Sequence, residues 1–402
     1  MGKVLVNPGG RVVEIDDPEQ IVELLEKRGF REANATEEGE YRRARKQLVE
    51  SLEPQPLHRD GVRVYFKSVR SGADGYGMSR GLLVSELREL GVLMEENYDE
   101  QKIGLLYAYP YSILQMENDI RVIFTMFESD KIPADWPDYL NQADRVLVPS
   151  TFVKETMKRA GVEAEVVPLG YNDRVFKPIK RTPKLDKNQD FTFIHYNAFN
   201  IRKGFREVLD AFSQEFKHHE PVKLILKTTL NAPVIPLPKS VYPNIEVICG
   251  QVSESELAKL LRQADCFVYP SRGEGFGITP LEAMATGMPA IVPNAHGISE
   301  YFNPKYMWEV KVKETCPALY NRFKGEDVGN MVVCDIDDLR KKMRYAFNHQ
   351  KEAVELGRKA AKYVQQYSYR KTALRLKEII DELSQTDVVR RRESEYLKVE
   401  RL

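Results

Sequence analysis

The stretch 271–293 constrains the fold of this chain more than any other. An apolar run at 265–270 directly precedes this stretch, and a second apolar run, 290–293, ends it. Runs of this kind are typical of strands buried in a parallel sheet. Between them, a Gly-Phe-Gly sequence permits a tight loop, and the residues that follow predict a helix that ends near Gly287. The sequence therefore predicts a strand, a glycine loop, a helix and a second strand, in that order.

The start of this helix is suited to an anion. Thr279 is predicted to cap the helix, with Pro280 at its first position. Free backbone N–H groups and the helix dipole attract phosphate at such an end. Glu274 and Glu282 flank the loop, and carboxylates accept hydrogen bonds from hydroxyls, so a sugar nucleotide is a suitable ligand. The alternative is a capping box of Thr279 and Glu282, with Glu274 solvated in the loop.

Glu274 and Glu282 enclose seven residues, GFGITPL. This spacing resembles the E-x7-E signature of retaining glycosyltransferase family 4, also called glycosyltransferase group 1. The resemblance covers about residues 62–369 and implies the GT-B architecture, an α/β fold in which two Rossmann-like doubly wound domains face a cleft. It implies that Glu274 contacts the sugar and Glu282 the ribose. It also implies donor contacts at Gly275, Phe276, Gly277, Ile278 and Thr279.

A second glycine element, Arg202-Lys203-Gly204, follows the predicted strand 191–195 and opens a helix. Two cations at a helix start suit a diphosphate, although a solvated charge pair is the alternative. Lys203-Gly204 matches the K-G element of the family. The resemblance therefore implies that Arg202 and Lys203 stabilise the leaving diphosphate.

Three further donor-binding candidates come from the same predicted domain. Lys227 ends the predicted strand 222–227 and is a weaker candidate for a phosphate contact. The segment 247–252 resembles the one whose backbone brackets the nucleobase in the family, which makes Gly250 and Val252 candidates for base contacts.

The opening of the first large domain is a predicted strand at 62–66, a glycine-rich loop at 71–77 and a helix. The resemblance places Gly75 and Gly77 near the donor phosphate and the acceptor; a plain strand-to-helix turn is the alternative.

Glu128 follows the predicted strand 121–124, and polar groups past the carboxyl end of a parallel strand face the cleft in this architecture. Many members of the family carry a histidine near this position. This chain has Glu128 there instead, so Glu128 is a catalytic candidate that contacts the sugar or the acceptor. The alternative is that Glu128 is only an acid at the start of a helix.

The chain is long enough for two domains and a small module. The small module is predicted to be an α+β appendage, with a hairpin around Gly9-Gly10 and helices from Asp17 and over about 37–52. The longer region 302–329 is expected to use Tyr306 and Trp308 for packing. The predicted parts are the N-terminal appendage 1–57, an acceptor-side domain 58–175, a linker 176–190, a nucleotide-sugar domain 191–370 and a C-terminal helix 371–402 that returns to the first domain.

Composition narrows the class of function. The 60 basic and 60 acidic residues give no net charge, which disfavours nucleic acid as a partner. No run of 18 apolar residues and no C-x-x-C is present, and the four cysteines are scattered. We expect a reduced cytoplasmic protein with no transmembrane segment, either free or peripheral to a membrane.

The expected activity is retaining, metal-independent transfer of a sugar from a nucleotide donor, a UDP- or GDP-sugar, with no tightly bound cofactor. We see no D-x-D constellation and no histidine cluster that would demand a metal. The acceptor is left open among glycans, lipid-linked glycans and proteins. Two alternatives remain: a sugar-nucleotide epimerase, and a non-catalytic carbohydrate-binding or structural protein that docks through residues 1–57.

Overall fold

The structure is a computed structural model. It describes residues 3–6, 12–15, 31–36, 38, 61–68, 75–97, 102–184, 186, 189–198, 200–230, 242–323 and 325–385. Its contacts divide the chain into two units, Met1–Asp60 and Gly61–Leu402.

The N-terminal unit contains a small antiparallel sheet. Strand β1 (Lys3–Val6) pairs with β2 (Val12–Ile15) and with β3 (Arg31–Glu32). The two strands of the predicted hairpin are therefore confirmed. Gly9-Gly10, the helix predicted from Asp17 and almost all of the helix predicted over 37–52 lie outside the described residues.

The second unit opens with a six-stranded parallel sheet in the order β5-β4-β6-β7-β8-β9. Neighbouring residues of β6 pack in different cores. Leu105 lies in one core with Leu87, and Leu106 lies in another with Val153. Burial of both faces explains why these strands are continuous apolar runs. The strands are β4 Arg63–Ser68, β5 Leu93–Glu95, β6 Ile103–Tyr107, β7 Ile120–Phe124, β8 Arg145–Val148 and β9 Glu165–Val166.

A second six-stranded parallel sheet follows, in the order β12-β11-β10-β13-β14-β15. This is the 3-2-1-4-5-6 order of a Rossmann sheet, and it reverses between β10 and β13. The strands are β10 Phe191–Tyr196, β11 Val222–Lys227, β12 Ile245–Ile248, β13 Cys266–Val268, β14 Ala290–Val292 and β15 Trp308–Glu309. The predicted class, two doubly wound α/β domains, is confirmed.

Helices cover the faces of both sheets, and several begin at side-chain caps. Ser253 and Glu256 form a capping box at the start of α5, and Ser150 caps α3. The helices are α1 Gly75–Glu89, α2 Trp136–Leu140, α3 Thr151–Arg159, α4 Phe205–Glu215, α5 Glu254–Gln263, α6 Ile278–Ala285, α7 Ile336–Asn348, α8 Gln350–Tyr363 and α9 Tyr369–Ser384.

Helix α9 packs against the first sheet. Leu376 and Ile380 pack in one core with Leu87 of α1 and Leu105 of β6. Thr372 donates a hydrogen bond to the carbonyl of Pro168. The mixed-charge tail beyond residue 385 lies outside the described residues.

The region 302–329 contributes β16 (Val312–Pro317), which pairs antiparallel with β17 (Asn330–Cys334) directly after it. Tyr306 stacks on Tyr363 at 4.3 Å between ring centroids, so its predicted packing role is confirmed. Trp308 packs edge-on against Tyr345 at 6.0 Å, in agreement with the same prediction.

The segment between β16 and β17 contacts the first domain. The hydroxyl of Ser129 donates to the carbonyl of Val328 at 2.7 Å. The guanidinium of Arg322 lies 4.9 Å from the ring centre of Tyr109. Phe323 is buried against Phe127. The insertion therefore joins the second domain to the loop that follows β7.

Candidate functional site

The predicted catalytic side chains of the second domain lie at the point where its strand order reverses. Arg202 and Lys203 follow β10, and Glu274 follows β13, its neighbour in the sheet. In open parallel sheets, the loops at such a switch point leave a crevice in which ligands bind.

The turn Ile201–Lys203 presents the two cations to this crevice. The side chain of Asn200 accepts a hydrogen bond from the N–H of Lys203 at 3.1 Å, which closes the turn. Gly204 has a φ of 75°, and a Cβ there would lie 2.2 Å from the carbonyl oxygen of Pro270. Only glycine allows this close approach, so the local sequence fixes the cations against the loop after β13.

Glu274 is the centre of the site. Its Oε1 accepts hydrogen bonds from Lys203 Nζ at 2.7 Å, Tyr269 Oη at 2.7 Å and Ser271 Oγ at 2.8 Å. Arg202 lies 3.4 Å away. Burial would raise the pKa of Glu274, but the charges of Lys203 and Arg202 outweigh it and lower the pKa to about 2. Glu274 is therefore a permanent carboxylate.

Arg202 connects the two domains. Its guanidinium lies 3.4 Å from Glu274 and 3.4 Å from Glu128, which follows β7 of the first sheet. Burial disfavours its charge, yet the two carboxylates outweigh this and raise the pKa of Arg202. Oε2 of Glu128 is buried without a hydrogen-bond partner. Glu128 and Glu274 thus lie at one guanidinium.

The loop between Glu274 and α6 is locked through its backbone. Ser150 of the first domain donates to the carbonyl of Gly275 at 2.7 Å, and Tyr301 donates to that of Gly277 at 2.6 Å. Phe276 is buried edge-on against Tyr301. The phenyl group is therefore a packing element, and only backbone groups of this residue remain for a ligand.

The predicted N-cap of this helix is wrong. Helix α6 begins at Ile278, and its N-cap is Gly277, with a φ of 87°. The left-handed glycine turns the chain into the helix two residues earlier than a threonine cap would. Thr279 lies inside the helix with its hydroxyl buried and unpartnered. The capping box of Thr279 and Glu282 is therefore wrong as well.

Glu282 is buried on the second turn of α6. Among the residues that the structure describes, it forms no ion pair. Burial is the sole cause that raises its pKa, to about 8. At neutral pH its carboxyl is therefore protonated and can both donate to and accept from a hydroxyl.

The remaining donor candidates of the second domain lie along the neighbouring strands. Lys227 is buried at the end of β11, where its ammonium donates to the carbonyls of Thr228, at 2.8 Å, and Gly250. Gly250 has a φ of 96°, and Val252 is exposed. Lys227 thus serves the backbone turn that presents the predicted base contacts.

Gly75 and Gly77 lie in the first turn of α1. The prediction of a loop that extends through residue 77 is therefore wrong, because the helix already starts at Gly75; residues 71–74 lie outside the described residues. Both glycines still occupy the end of a helix that presents backbone N–H groups.

Sequence reasoning missed Tyr269, Ser271 and His296. The first two directly hydrogen-bond Glu274, and their only sequence signal is their place just past a buried strand. His296 follows β14, has a φ of 50° and stacks on Phe152 at 4.5 Å. Burial lowers its pKa, opposed by the charges of Asp130 and Glu274.

No three histidine, cysteine or acidic side chains within the described ranges form a group that could hold a metal ion. None of the helices described is both long enough and apolar enough to cross a bilayer.

Comparison with known proteins matches residues 176–315 to the family of glycosyl transferases group 1. The chain is also 28% identical over 181 residues to the alpha-monoglucosyldiacylglycerol synthase of Streptococcus pneumoniae. That match covers 41% of this chain and 40% of the relative, so the chain spans well under half of that protein.

Solved glycosyltransferase structures share the whole two-sheet fold. Sucrose-phosphate synthase from Thermosynechococcus elongatus superposes with a TM-score of 0.61 at 15% identity, covering 80% of this chain and 99% of that one. HepE from Anabaena, in complex with UDP-glucose, gives a TM-score of 0.57 at 13% identity, covering 80% and 99%. The two parallel sheets of this chain therefore have the GT-B architecture of these structures.

Proposed function

We propose that this protein is a glycosyltransferase that moves a sugar from a nucleoside diphosphate sugar to a hydroxyl acceptor. The observation that carries the proposal is the cluster of Arg202, Lys203 and Glu274 at the switch point of the second sheet, faced by Glu128 from the first. A family match over residues 176–315 supports the same activity.

The proposed donor site runs along the carboxyl edge of the second sheet. Gly250 and Val252 contact the base, Glu282 bonds the ribose hydroxyls, and the start of α6 receives the diphosphate. HepE was solved with UDP-glucose, which supports a uridine donor, although a guanosine donor fits the same groups. Lys227 acts by holding the turn at Gly250.

The charge balance of the cluster suggests how the reaction is assisted. Arg202 and Lys203 carry two positive charges, which Glu274 and Glu128 balance. As the sugar–phosphate bond breaks, negative charge grows on the leaving diphosphate, and Arg202 and Lys203 stabilise it. Glu274 keeps its charge near the sugar, where its Oε2 accepts from a sugar hydroxyl and favours the developing cationic ring.

The proposed transfer retains configuration at the anomeric carbon and uses no bound metal. The acceptor oxygen bonds to the anomeric carbon on the face that the phosphate leaves. The electron pair of the broken bond goes to the phosphate oxygen, which then takes the acceptor proton. This same-face route needs no separate base and assigns the electrostatic work to Arg202 and Lys203.

The acceptor is proposed to enter from the first domain, past Glu128 and the start of α1 at Gly75 and Gly77. The unpartnered Oε2 of Glu128 is suited to receive an acceptor or sugar hydroxyl. The acceptor classes that fit are glycans, lipid-linked glycans and protein hydroxyls. Residues 1–57 are proposed as a docking appendage outside this chemistry.

A thermal-shift screen against uridine, guanosine and adenosine diphosphates and their sugars tests the donor class, because a ligand that binds only the folded state raises Tm. We expect stabilisation by one nucleotide family, followed by release of free nucleotide from its sugar. The matched variants are Glu274→Gln, which should lose release, and exposed Glu246→Gln, which should retain it. Stabilisation without release from any donor, with or without simple sugar acceptors, would favour a carbohydrate-binding protein instead.

A further inference from the structure

Tyr269 directly follows β13, at the point where the loops of β10 and β13 meet. Its side chain is fully buried. The ring stacks near His195, at 5.7 Å between centroids, and near Phe267, at 5.6 Å. A tyrosine in this setting could serve the core alone, in which case its hydroxyl would not matter to the site.

The contacts of the hydroxyl argue otherwise. Asn197 Nδ2 donates to it at 2.7 Å and Lys203 Nζ at 3.3 Å, and it donates to Glu274 Oε1 at 2.7 Å. A phenol has one proton to donate and two lone pairs to accept with, so this hydroxyl uses its whole capacity. Every partner comes from the two loops that build the candidate site.

The direction of the phenolic proton is fixed by its neighbours. The side-chain oxygen of Asn197 accepts from the N–H of Ala198 at 2.9 Å, so the amide nitrogen faces Tyr269. An amide N–H and an ammonium can only donate. The phenolic proton must therefore point to Glu274, and the bond to this carboxylate is charge-assisted.

Lys203 and Glu274 also bond each other at 2.7 Å, so the hydroxyl closes a three-membered ring of contacts. Such a ring restricts the rotation of the carboxylate and of the flexible lysine stem together. It anchors Oε1 of Glu274 and so sets the direction in which Oε2 points.

We propose that Tyr269 is a positioning residue that orients the Glu274 carboxylate and the Lys203 ammonium for the reacting bond. The inference rests on the proposed function, in which Glu274 and Lys203 act on the sugar and the leaving diphosphate. Tyr269 acts through them, because its hydroxyl bonds both groups.

The test uses the full chain with Tyr269→Phe, Glu274→Gln and the double variant. Loss of one charge-assisted hydrogen bond should lower kcat for donor cleavage by roughly ten- to a hundredfold. The KM for donor should stay within about twofold, because the effect falls on the transition state. Tyr363→Phe is the matched control: it removes one tyrosine hydroxyl bond, to the carbonyl of Tyr301, away from the cluster.

Urea unfolding of the same variants gives a second readout that does not depend on activity. The two substitutions should be non-additive if the hydroxyl and the carboxylate interact in solution. Additive effects, or a folded Tyr269→Phe variant with wild-type kcat, would overturn the inference. If the wild-type protein cleaves no donor, the proposed function is wrong. The unfolding measurements would then still test whether Tyr269 and Glu274 interact.

Discussion

Two glutamates of one short stretch behave in opposite ways. Glu274, in the loop, and Glu282, on helix α6, are 7% and 9% exposed. Lys203 and Arg202 hold Glu274 as a carboxylate with a pKa of about 2, whereas burial without a cation raises the pKa of Glu282 to about 8. Two equally buried carboxyl groups can therefore differ in charge, because a neighbouring cation stabilises the ionised form.

Under the proposed function, the difference gives the two acids separate tasks. A fixed negative charge beside two cations suits the reacting end of a nucleotide sugar. A neutral carboxyl suits hydroxyl recognition, since it can donate as well as accept. The spacing that unites the two residues in the sequence therefore spans the proposed site from its sugar to its ribose.

Removing the charge of Glu274 should have the largest effect. Glu274→Gln leaves Lys203 and Arg202 buried with too little negative charge, so unfolding should become easier by about 3–5 kcal/mol. Donor cleavage should fall by roughly a hundredfold or more. Urea titration and nucleotide release measure the two effects, and Glu246→Gln, an exposed acid on β12, should change stability by under about 0.5 kcal/mol. A Glu274→Gln variant as stable as the wild type would show that the ion pair is absent in solution.

Removing the cation should make Glu274 more like Glu282. Lys203→Ala should reduce the rate of donor cleavage by roughly a hundredfold, with a smaller effect on nucleoside monophosphate affinity. The pKa of Glu274 should rise at the same time, because the nearest compensating charge is lost. Lys223→Ala, which removes an exposed lysine paired with Asp190, is the control. Wild-type turnover by Lys203→Ala would mean that the diphosphate is held elsewhere.

Glu282→Gln should stabilise the protein at high pH, whereas Glu274→Gln should destabilise it. The folded pKa of Glu282 lies above its unfolded value, so the wild type loses stability as pH rises from about 4.5 to about 8. The amide mimics the protonated acid and carries no such loss. The variant should match the wild type near pH 4 and exceed it near pH 9 by on the order of a few kcal/mol. Chemical unfolding at both pH values checks this, and parallel curves at all pH values would contradict it.

Deleting residues 1–57 should have the smallest effect. The contacts of residues 61–402 form a unit of their own that contains both glutamates. Donor cleavage by the truncated chain should stay within about twofold of the full chain. Loss of nucleotide binding in a folded truncation would show that the appendage belongs to the site.

Much of the second domain was predictable because its signals are local. Residues 265–287 contain the signals for a buried strand, a glycine loop and a helix that ends at a glycine. Gly204 is a glycine because its backbone lies close to the loop after β13. The helix start was mispredicted because Gly277 can adopt a positive φ, which leaves no trace in the residues around it. The sequence allows either Gly277 or Thr279 to start the helix, and only the backbone conformation shows that it is Gly277.

The rest depends on contacts between distant parts of the chain. From the sequence alone, Tyr269 is expected to be a core aromatic residue. Only the fold brings Asn197, Lys203 and Glu274 to its hydroxyl. The ionisation of Glu282 depends equally on which charges the fold leaves out of reach. No sequence spacing encodes these contacts, since each is set by the packing of whole loops.

Carboxyl ¹³C NMR of glutamate-labelled protein between pH 4 and pH 10 tests the difference between the two acids most directly. Glu274→Gln and Glu282→Gln assign the two resonances. The account predicts that the Glu282 signal titrates near pH 8 and that the Glu274 signal stays at its ionised position throughout. A Glu282 signal that titrates near its ordinary value, or a Glu274 signal that titrates above pH 4, would contradict it.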